Sequence, residues 1–254
     1  MDIITKKQET LYDTYQFGNF LYRKKLEKDE PLLHEFLSLV GNNHKLFDIG
    51  CGSGFWLNTY LKCGINKDQI TVVDLAPSNI TNLKKEGFNA ILDNVLDLKI
   101  KKDVSDFTVC LGVIHHTINP LRAFKELARI TKDGGYIYLS VYNKWNPYFY
   151  IVHKLTTPFR YFYWNISKII EPFIYMPFKI FLQLVSKLIF REFVEEKTAK
   201  VIFMDQVLTE RAHLFTKSTV KSLATKCNCE VINFKHSKYY FMLAAILRVH
   251  KNKS

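Results

Sequence analysis

The chain has 254 residues, room for one large domain or two small ones. Its 48% hydrophobic and 15% aromatic content excludes a chain disordered by composition. Lys and Arg number 36 against 24 Asp and Glu, and the formal charge of +12 suits a polyanion or an anionic membrane surface as a neighbour. Cys51, Cys63, Cys110, Cys227 and Cys229 are odd in number and scattered. That excludes the paired framework of a small secreted domain and predicts reduced thiols in a cytoplasmic protein.

From Met1 to Lys7 the chain turns polar at once, so no secretory leader is expected. Residues 5–40 read as helical, with Pro31 starting a second helix whose apolar face is Leu32, Leu33, Phe36, Leu37 and Val40, ended by Gly41. Short apolar runs then alternate with helical stretches. Lys45–Ile49, Ile70–Asp74, Ala90–Leu92, Phe107–Leu111 and Tyr136–Tyr142 predict strands, and 55–63, 77–86 and 120–131 predict helices. The alternation predicts an α/β fold, a parallel sheet covered on both faces.

From Asn143 to about Arg211 the rhythm stops. The stretch from Tyr142 to Phe193 holds sixteen of the 37 aromatics, with Pro147, Pro158, Pro172 and Pro177 expected to break it into short helices, so it reads as an insertion. Phe173–Phe190 is long enough to span a bilayer, but Lys179, Gln183, Ser186 and Lys187 interrupt it and argue against a simple anchor. After it, Thr216 or Ser218 caps a helix through Cys227, and strands near Glu230–Phe234 and Tyr239–Val249 complete a seven-stranded sheet. The expected organisation is 1–142 as N-terminal helices and cofactor-binding core, 143–212 as a helical lid, and 213–254 as the closing helix and two strands.

The sharpest local signal is Phe47-Asp48-Ile49-Gly50-Cys51-Gly52-Ser53-Gly54, a strand running into a glycine turn and then a helix. Glycines let the backbone approach a ligand, and the helix start offers unpaired N–H groups. Twenty residues past Gly54 the next strand ends in Asp74, where a carboxylate can accept bonds from both ribose hydroxyls. A dinucleotide loop wants G-x-G-x-x-G; Phe55 stands where its third glycine belongs, which favours S-adenosylmethionine, a cofactor without phosphate.

These features resemble the class I S-adenosylmethionine-dependent methyltransferases over about residues 30–142 and 214–250, in the pattern of the ubiquinone/menaquinone-biosynthesis type. Asp48 to Gly54 is similar to their first motif, Val73-Asp74 to the second, and Leu92-Asp93-Asn94 to the acidic motif beside the adenine. Leu111-Gly112-Val113-Ile114-His115-His116-Thr117, with Pro120 to Gly135, resembles the fourth motif, its helix and the Gly-Gly turn. The resemblance implies a Rossmann-like, mostly parallel seven-stranded sheet with its last strand antiparallel. It implies a cofactor site of Asp48, Gly50, Cys51, Gly52, Gly54, Asp74, Leu75, Asp93, Asn94 and Leu111, with S-adenosyl-L-methionine as cofactor. The adenine motif lacks the usual glycine before its Asp, and Asp97 is a competing candidate.

His115 and His116 follow the fourth strand, where an open α/β sheet presents its crevice, and a neutral imidazole there can take a proton from an acceptor hydroxyl. The alternative is that one packs against the glycine loop and the other bonds a backbone carbonyl. Cys227-x-Cys229 lacks companion ligands for zinc, so no metal is expected. In the insertion, Phe178, Ile180, Phe181, Leu182, Leu184, Val185, Leu188 and Ile189 form a wide apolar face, and Tyr161, Tyr163 and Trp164 lie near Arg160 and Lys168. This predicts methyl transfer to an apolar or amphipathic acceptor, quinone- or isoprenoid-lipid-like, with peripheral membrane contact through 145–195. A lid packed on the core or on a second copy is the alternative. An RNA methyltransferase and a silent S-adenosylmethionine-binding protein remain rival functions; the scattered basic residues and the lack of an RNA-binding module argue against nucleic acid.

Overall fold

The structure, a computed structural model, describes residues 3–14, 30, 32–237 and 241–251, with the side chains of 189 and 190 excepted. The helical expectation for 15–29, the start at Pro31, Tyr239 in the last strand and the Ile189 side chain lie outside the described residues. Seven strands, β1 (Leu46–Ile49), β2 (Ile70–Asp74), β3 (Asn89–Leu92), β4 (Ser105–Leu111), β5 (Thr131–Tyr142), β6 (Cys229–His236) and β7 (Met242–Val249), form one sheet in the order β3-β2-β1-β4-β5-β7-β6. All neighbours are parallel except β7, which runs antiparallel to both β5 and β6. The order reverses direction between β1 and β4, so the crevice lies beyond their carboxyl ends.

Helices α1 (Ile3–Thr14), α2 (Leu33–Leu37), α3 (Leu57–Lys62), α4 (Pro77–Lys85), α5 (Pro120–Ile130), α6 (Pro147–Asn165), α7 (Glu171–Phe190), α8 (Glu196–Gln206) and α9 (Lys217–Lys226) surround it. The strands read as unbroken apolar runs because both faces are covered. Phe36, Tyr60 and Leu83 pack with Val109, Tyr138 and Ile246 on one face; Phe124, Leu127 and Val220 pack with Cys110, Leu139 and Leu247 on the other. Adjacent residues such as Tyr138 and Leu139 thus serve opposite cores, as a two-residue period demands. α5 shows the local logic: Asn119 caps it by accepting from Arg122 N, Pro120 opens it, and Ala123, Phe124, Leu127 and Ile130 form its buried face.

Two expectations are corrected. β5 starts at Thr131, not Tyr136, and the expected Gly-Gly turn falls inside it: Gly134 has φ +73°, the register shifts so that residues 132–135 stand opposite Asp106 alone, and a Cβ on Gly135 would meet the Asp106 carbonyl oxygen at 2.9 Å. The insertion prolines do not break their segment into short pieces. Pro147 and Pro172 fall in first turns, where no N–H is needed, and Pro158 and Pro177 lie inside helices of 19 and 20 residues. Near Pro158, Thr157 Oγ1 donates to the His153 carbonyl at 2.6 Å, so side-chain donors serve the disturbed ladder. Along α6–α8, Tyr163, Tyr175, Phe203, Met204 and Leu208 make a third small core, joined by Leu11 of α1.

Glu30 is buried, and Tyr138 Oη donates to its carboxylate at 2.6 Å. Burial pushes its pKa up to about 7, against the pull of the Tyr138 bond. Unfolded, it titrates near 4.3, so between about pH 4 and 7 the folded state holds more protons and stability falls as pH rises. The Glu30→Gln variant is expected to flatten part of that slope and to melt higher than the parent at pH 8, checked by thermal melts at pH 5 and 8. A lower melting temperature for the variant at pH 8 would contradict this.

Candidate active site

The glycine turn is stitched to the end of β2. Gly50 N and Cys51 N both donate to the Val73 carbonyl, at 2.7 and 3.1 Å. Gly50 has φ +77°, and a Cβ there would overlap Val113; Gly54, at φ +79°, would press a Cβ on Leu57 and Leu83. Both positions therefore need glycine for conformation and for space.

Asp74 receives four donors. Gly52 N reaches Oδ2 at 2.8 Å, Ala76 N and Asn79 Nδ2 reach Oδ1 at 2.9 and 3.2 Å, and Leu75 N also bonds the carboxylate. Burial raises its pKa, with these bonds working the other way. Leu75 is half-buried beside it. Asp48, buried on β1, accepts from Tyr60 Oη at 3.1 Å. Burial pushes its pKa up to about 7, the Tyr60 bond lowers it, and the neighbouring Asp74 adds to the rise. A cation beside Asp48 would relieve that cost.

Asp93 N donates to the Asp74 carbonyl at 3.0 Å, which sets the β3 end beside the β2 end. Its carboxylate accepts Asn94 N at 2.8 Å and Lys99 N at 2.7 Å, and Asn94 Oδ1 accepts Leu96 N at 2.9 Å. Both side chains brace the loop that they start. Asp97 is exposed and pairs with Lys99 on the surface, so it does not compete for the crevice. Leu111 is half-buried at the end of β4.

His115 and His116 are both buried. The His115 ring stacks on Tyr142 at 3.8 Å, and Tyr142 N donates to its Nδ1 at 3.4 Å. Burial, with the neighbouring histidines, holds its pKa well below the usual range. A neutral ring whose Nδ1 accepts carries its proton on Nε2, and that atom has no partner among the described residues. His116 bridges instead: Nε2 lies 3.3 Å from Asp205 Oδ1, and Nδ1 lies 3.0 Å from the Arg211 carbonyl oxygen. Tyr142 Oη donates to Asp205 Oδ2 at 2.7 Å, and Gln8 Nε2 donates to the His116 carbonyl. In this arrangement the Nδ1 of His115 and both ring nitrogens of His116 have partners.

Sequence reading missed what crosses the crevice. α1 lies over it, with Asp13 Oδ1 accepting Ser78 N at 2.8 Å. The Tyr12 hydroxyl lies near both Asp205 and Asp74; its pKa rises well above the usual value through burial first and then these two charges. Asp205 was signalled only by being a lone acid in the apolar run Val201–Leu208. Tyr60 and Asn79 carried no local signal. Among the described residues no group of three His, Cys, Asp or Glu is disposed to hold a metal ion.

Residues 47–139 match the family described as a methyltransferase domain. The mouse tRNA (carboxymethyluridine(34)-5-O)-methyltransferase ALKBH8 is 31% identical over 109 residues, covering 41% of this chain and 16% of that protein. The ubiquinone biosynthesis O-methyltransferase of Xanthomonas oryzae pv. oryzae is 27% identical over 107 residues, 39% of this chain and 44% of that protein. The chain thus spans less than half the length of these two curated relatives, whose names place one on a tRNA and the other in ubiquinone biosynthesis. In fold, magnesium protoporphyrin IX methyltransferase from Synechocystis, solved with bound S-adenosylmethionine, superposes with a TM-score of 0.58 at 10% identity, covering 98% of each chain. Residues 47–139 thus match a methyltransferase domain, and the sheet that completes them gives the chain the fold of the class I S-adenosylmethionine-dependent methyltransferases.

Proposed function

We propose that the chain transfers a methyl group from S-adenosyl-L-methionine to an apolar or amphipathic small molecule, quinone- or isoprenoid-lipid-like, in the cytoplasm at a membrane surface. The observation that carries the acceptor class is the aromatic wall at the carboxyl end of β5. Tyr142 stacks between His115 and Phe149, at 3.8 and 4.0 Å, and Phe149 meets Phe241 edge-on at 5.7 Å. The His115, Tyr142 and Phe149 rings are buried, so they back the crevice with a dry apolar layer, a setting that suits an apolar acceptor better than a strongly hydrated one.

The residues fit the cofactor. Gly50, Cys51, Gly52 and Gly54 shape the loop it lies against, Asp48 faces its methionine end, and Asp74 with Leu75 holds the ribose. Asp93 and Asn94 lie by the adenine, with Leu111 beside them. When bound, the cofactor supplies an electrophilic methyl for in-line displacement, so the protein mainly aligns and dries the site. His115 offers its buried Nε2–H to an acceptor oxygen, and His116 holds the insertion and α1 in place around it.

A second reading, RNA methylation, is favoured by the likeness to the tRNA enzyme and the +12 charge. A labelled-methyl assay against lipid, small-molecule and RNA fractions separates the two: label in the organic fraction is expected, and label in RNA alone would overturn the acceptor class. Cofactor binding without label in any fraction would favour the silent protein.

The Asp48 carboxyl makes a further prediction. Because its pKa lies near 7 without a cation beside it, cofactor binding should ionise it and release a proton. Affinity is expected to rise from pH 6 to 8 by up to roughly tenfold per unit, and Asp48→Asn to flatten that rise, measured by calorimetry in buffers of different ionisation heat. An equal slope in both proteins would contradict it. For His115→Ala, loss of one hydrogen bond predicts roughly tenfold slower turnover with cofactor binding retained. A loss of about a thousandfold would restore the general base.

A further inference from the structure

The stretch Lys168–Leu188, which takes in most of α7, is long and apolar enough to cross a membrane by length and composition, yet only 11% of its apolar 18-residue window is buried. Its exposed side chains form one stripe. Phe173, Met176, Ile180, Leu184 and Leu188 follow at spacings of three and four, and Phe173, Leu184 and Leu188 are 75%, 66% and 83% exposed. Away from the stripe it is anchored to protein: Tyr175 and Phe178 pack on Phe203 of α8, with ring centroids 5.1 and 5.4 Å apart, and Gln183 bonds both the N–H and carbonyl of Val194. The helix therefore lies along the body. On α6, Ile151, Leu155 and Phe159 make a second exposed stripe, and Ile166 and Ile169 continue the apolar surface through the connection. A soluble monomer rarely leaves so much apolar surface open.

Charge says what covers it. No Asp or Glu occurs from residue 134 to 170, while Lys144, Lys154 and Lys168 are exposed. At the far end of α7, Lys187 and Arg191 are exposed together with Glu192 and Glu195, so the cationic excess lies along α6 and the start of α7. Glu171 is neutralised by Lys200, and Glu196 by Lys179. Lys154 and Lys168 each lie within 6 Å of a tyrosine ring, the mixed aromatic and cationic setting of a lipid headgroup layer. A second copy docked symmetrically would set this cationic surface against itself. Nucleic acid would pair the lysines and leave the Ile, Leu and Met stripe in water.

We infer that the exposed stripes of α6 and α7 seat the protein in the interface of an anionic bilayer, lying in its plane without spanning it. The inference deepens the acceptor reading and rests on it only for what is methylated. Docking itself is read without any acceptor, so the two fail separately.

The test is flotation of the full chain with vesicles of phosphatidylcholine alone and of phosphatidylcholine with phosphatidylglycerol, alongside Trp145 fluorescence, since that exposed indole sits at the start of the insertion. Expected are flotation with the anionic vesicles that weakens as salt rises, and a blue shift that Trp145→Phe removes. The exposed-site double variant Ile180→Glu with Leu184→Glu should float at least about tenfold less while keeping its melting temperature and its affinity for S-adenosylmethionine. The parent staying unbound to both vesicles at low salt would overturn the inference. So would a concentration-dependent dimer in ultracentrifugation that the double variant abolishes, with no flotation.

Discussion

The carboxylate of Asp74 is the point on which the crevice is built. A buried acid is costly unless its oxygens are satisfied, and here the satisfying donors are the glycine turn, the start of α4 and Asn79. Meeting that demand fixes the spacing between the β1 turn and the β2 end before any ligand arrives. Asp93, whose own N–H bonds the Asp74 carbonyl, extends the same frame to β3. The site is organised mainly by backbone hydrogen bonds to carboxylates, which leaves its floor rigid.

The roof is built by another rule. His116 ties the core to two other parts of the chain: its ring meets Asp205 of α8 and the Arg211 carbonyl at the end of the insertion, and its own carbonyl takes Gln8 of α1. Tyr142 shares Asp205 and at the same time stacks on His115. Movement of the insertion must therefore disturb the side chains next to the crevice. In the membrane inference, α6 links the two surfaces: its Ile151, Leu155 and Phe159 face outward, while its Phe149 stacks on Tyr142 at the end of β5.

Much of the core was legible in the sequence. The glycine turn, Asp74 and the alternation of apolar runs needed only local chemistry, and they predicted a mostly parallel sheet with its crevice at the strand carboxyl ends. What failed did so for tertiary reasons. Gly134 and Gly135 make their turn inside β5, pressed on the Asp106 carbonyl, so the strand begins five residues before the apolar run that announced it. Pro158 and Pro177 look like breakers, and long helices persist through both. The partner of His116 is 89 residues distant in a segment without motif, and no periodicity announces such a pair. Tyr12 over Asp74 was equally invisible, since a helix at the start of a chain does not declare which crevice it covers.

The most direct test of the account is a calorimetric titration of the parent and of Asp74→Asn with S-adenosylmethionine and with its demethylated product. The account predicts saturable heat for both ligands with the parent, and affinity weaker by roughly tenfold or more in the variant, which keeps an oxygen but loses the charge and an acceptor. Equal affinities in the two proteins, or no heat with the parent, would contradict the claim that this carboxylate and the turn it braces hold the cofactor.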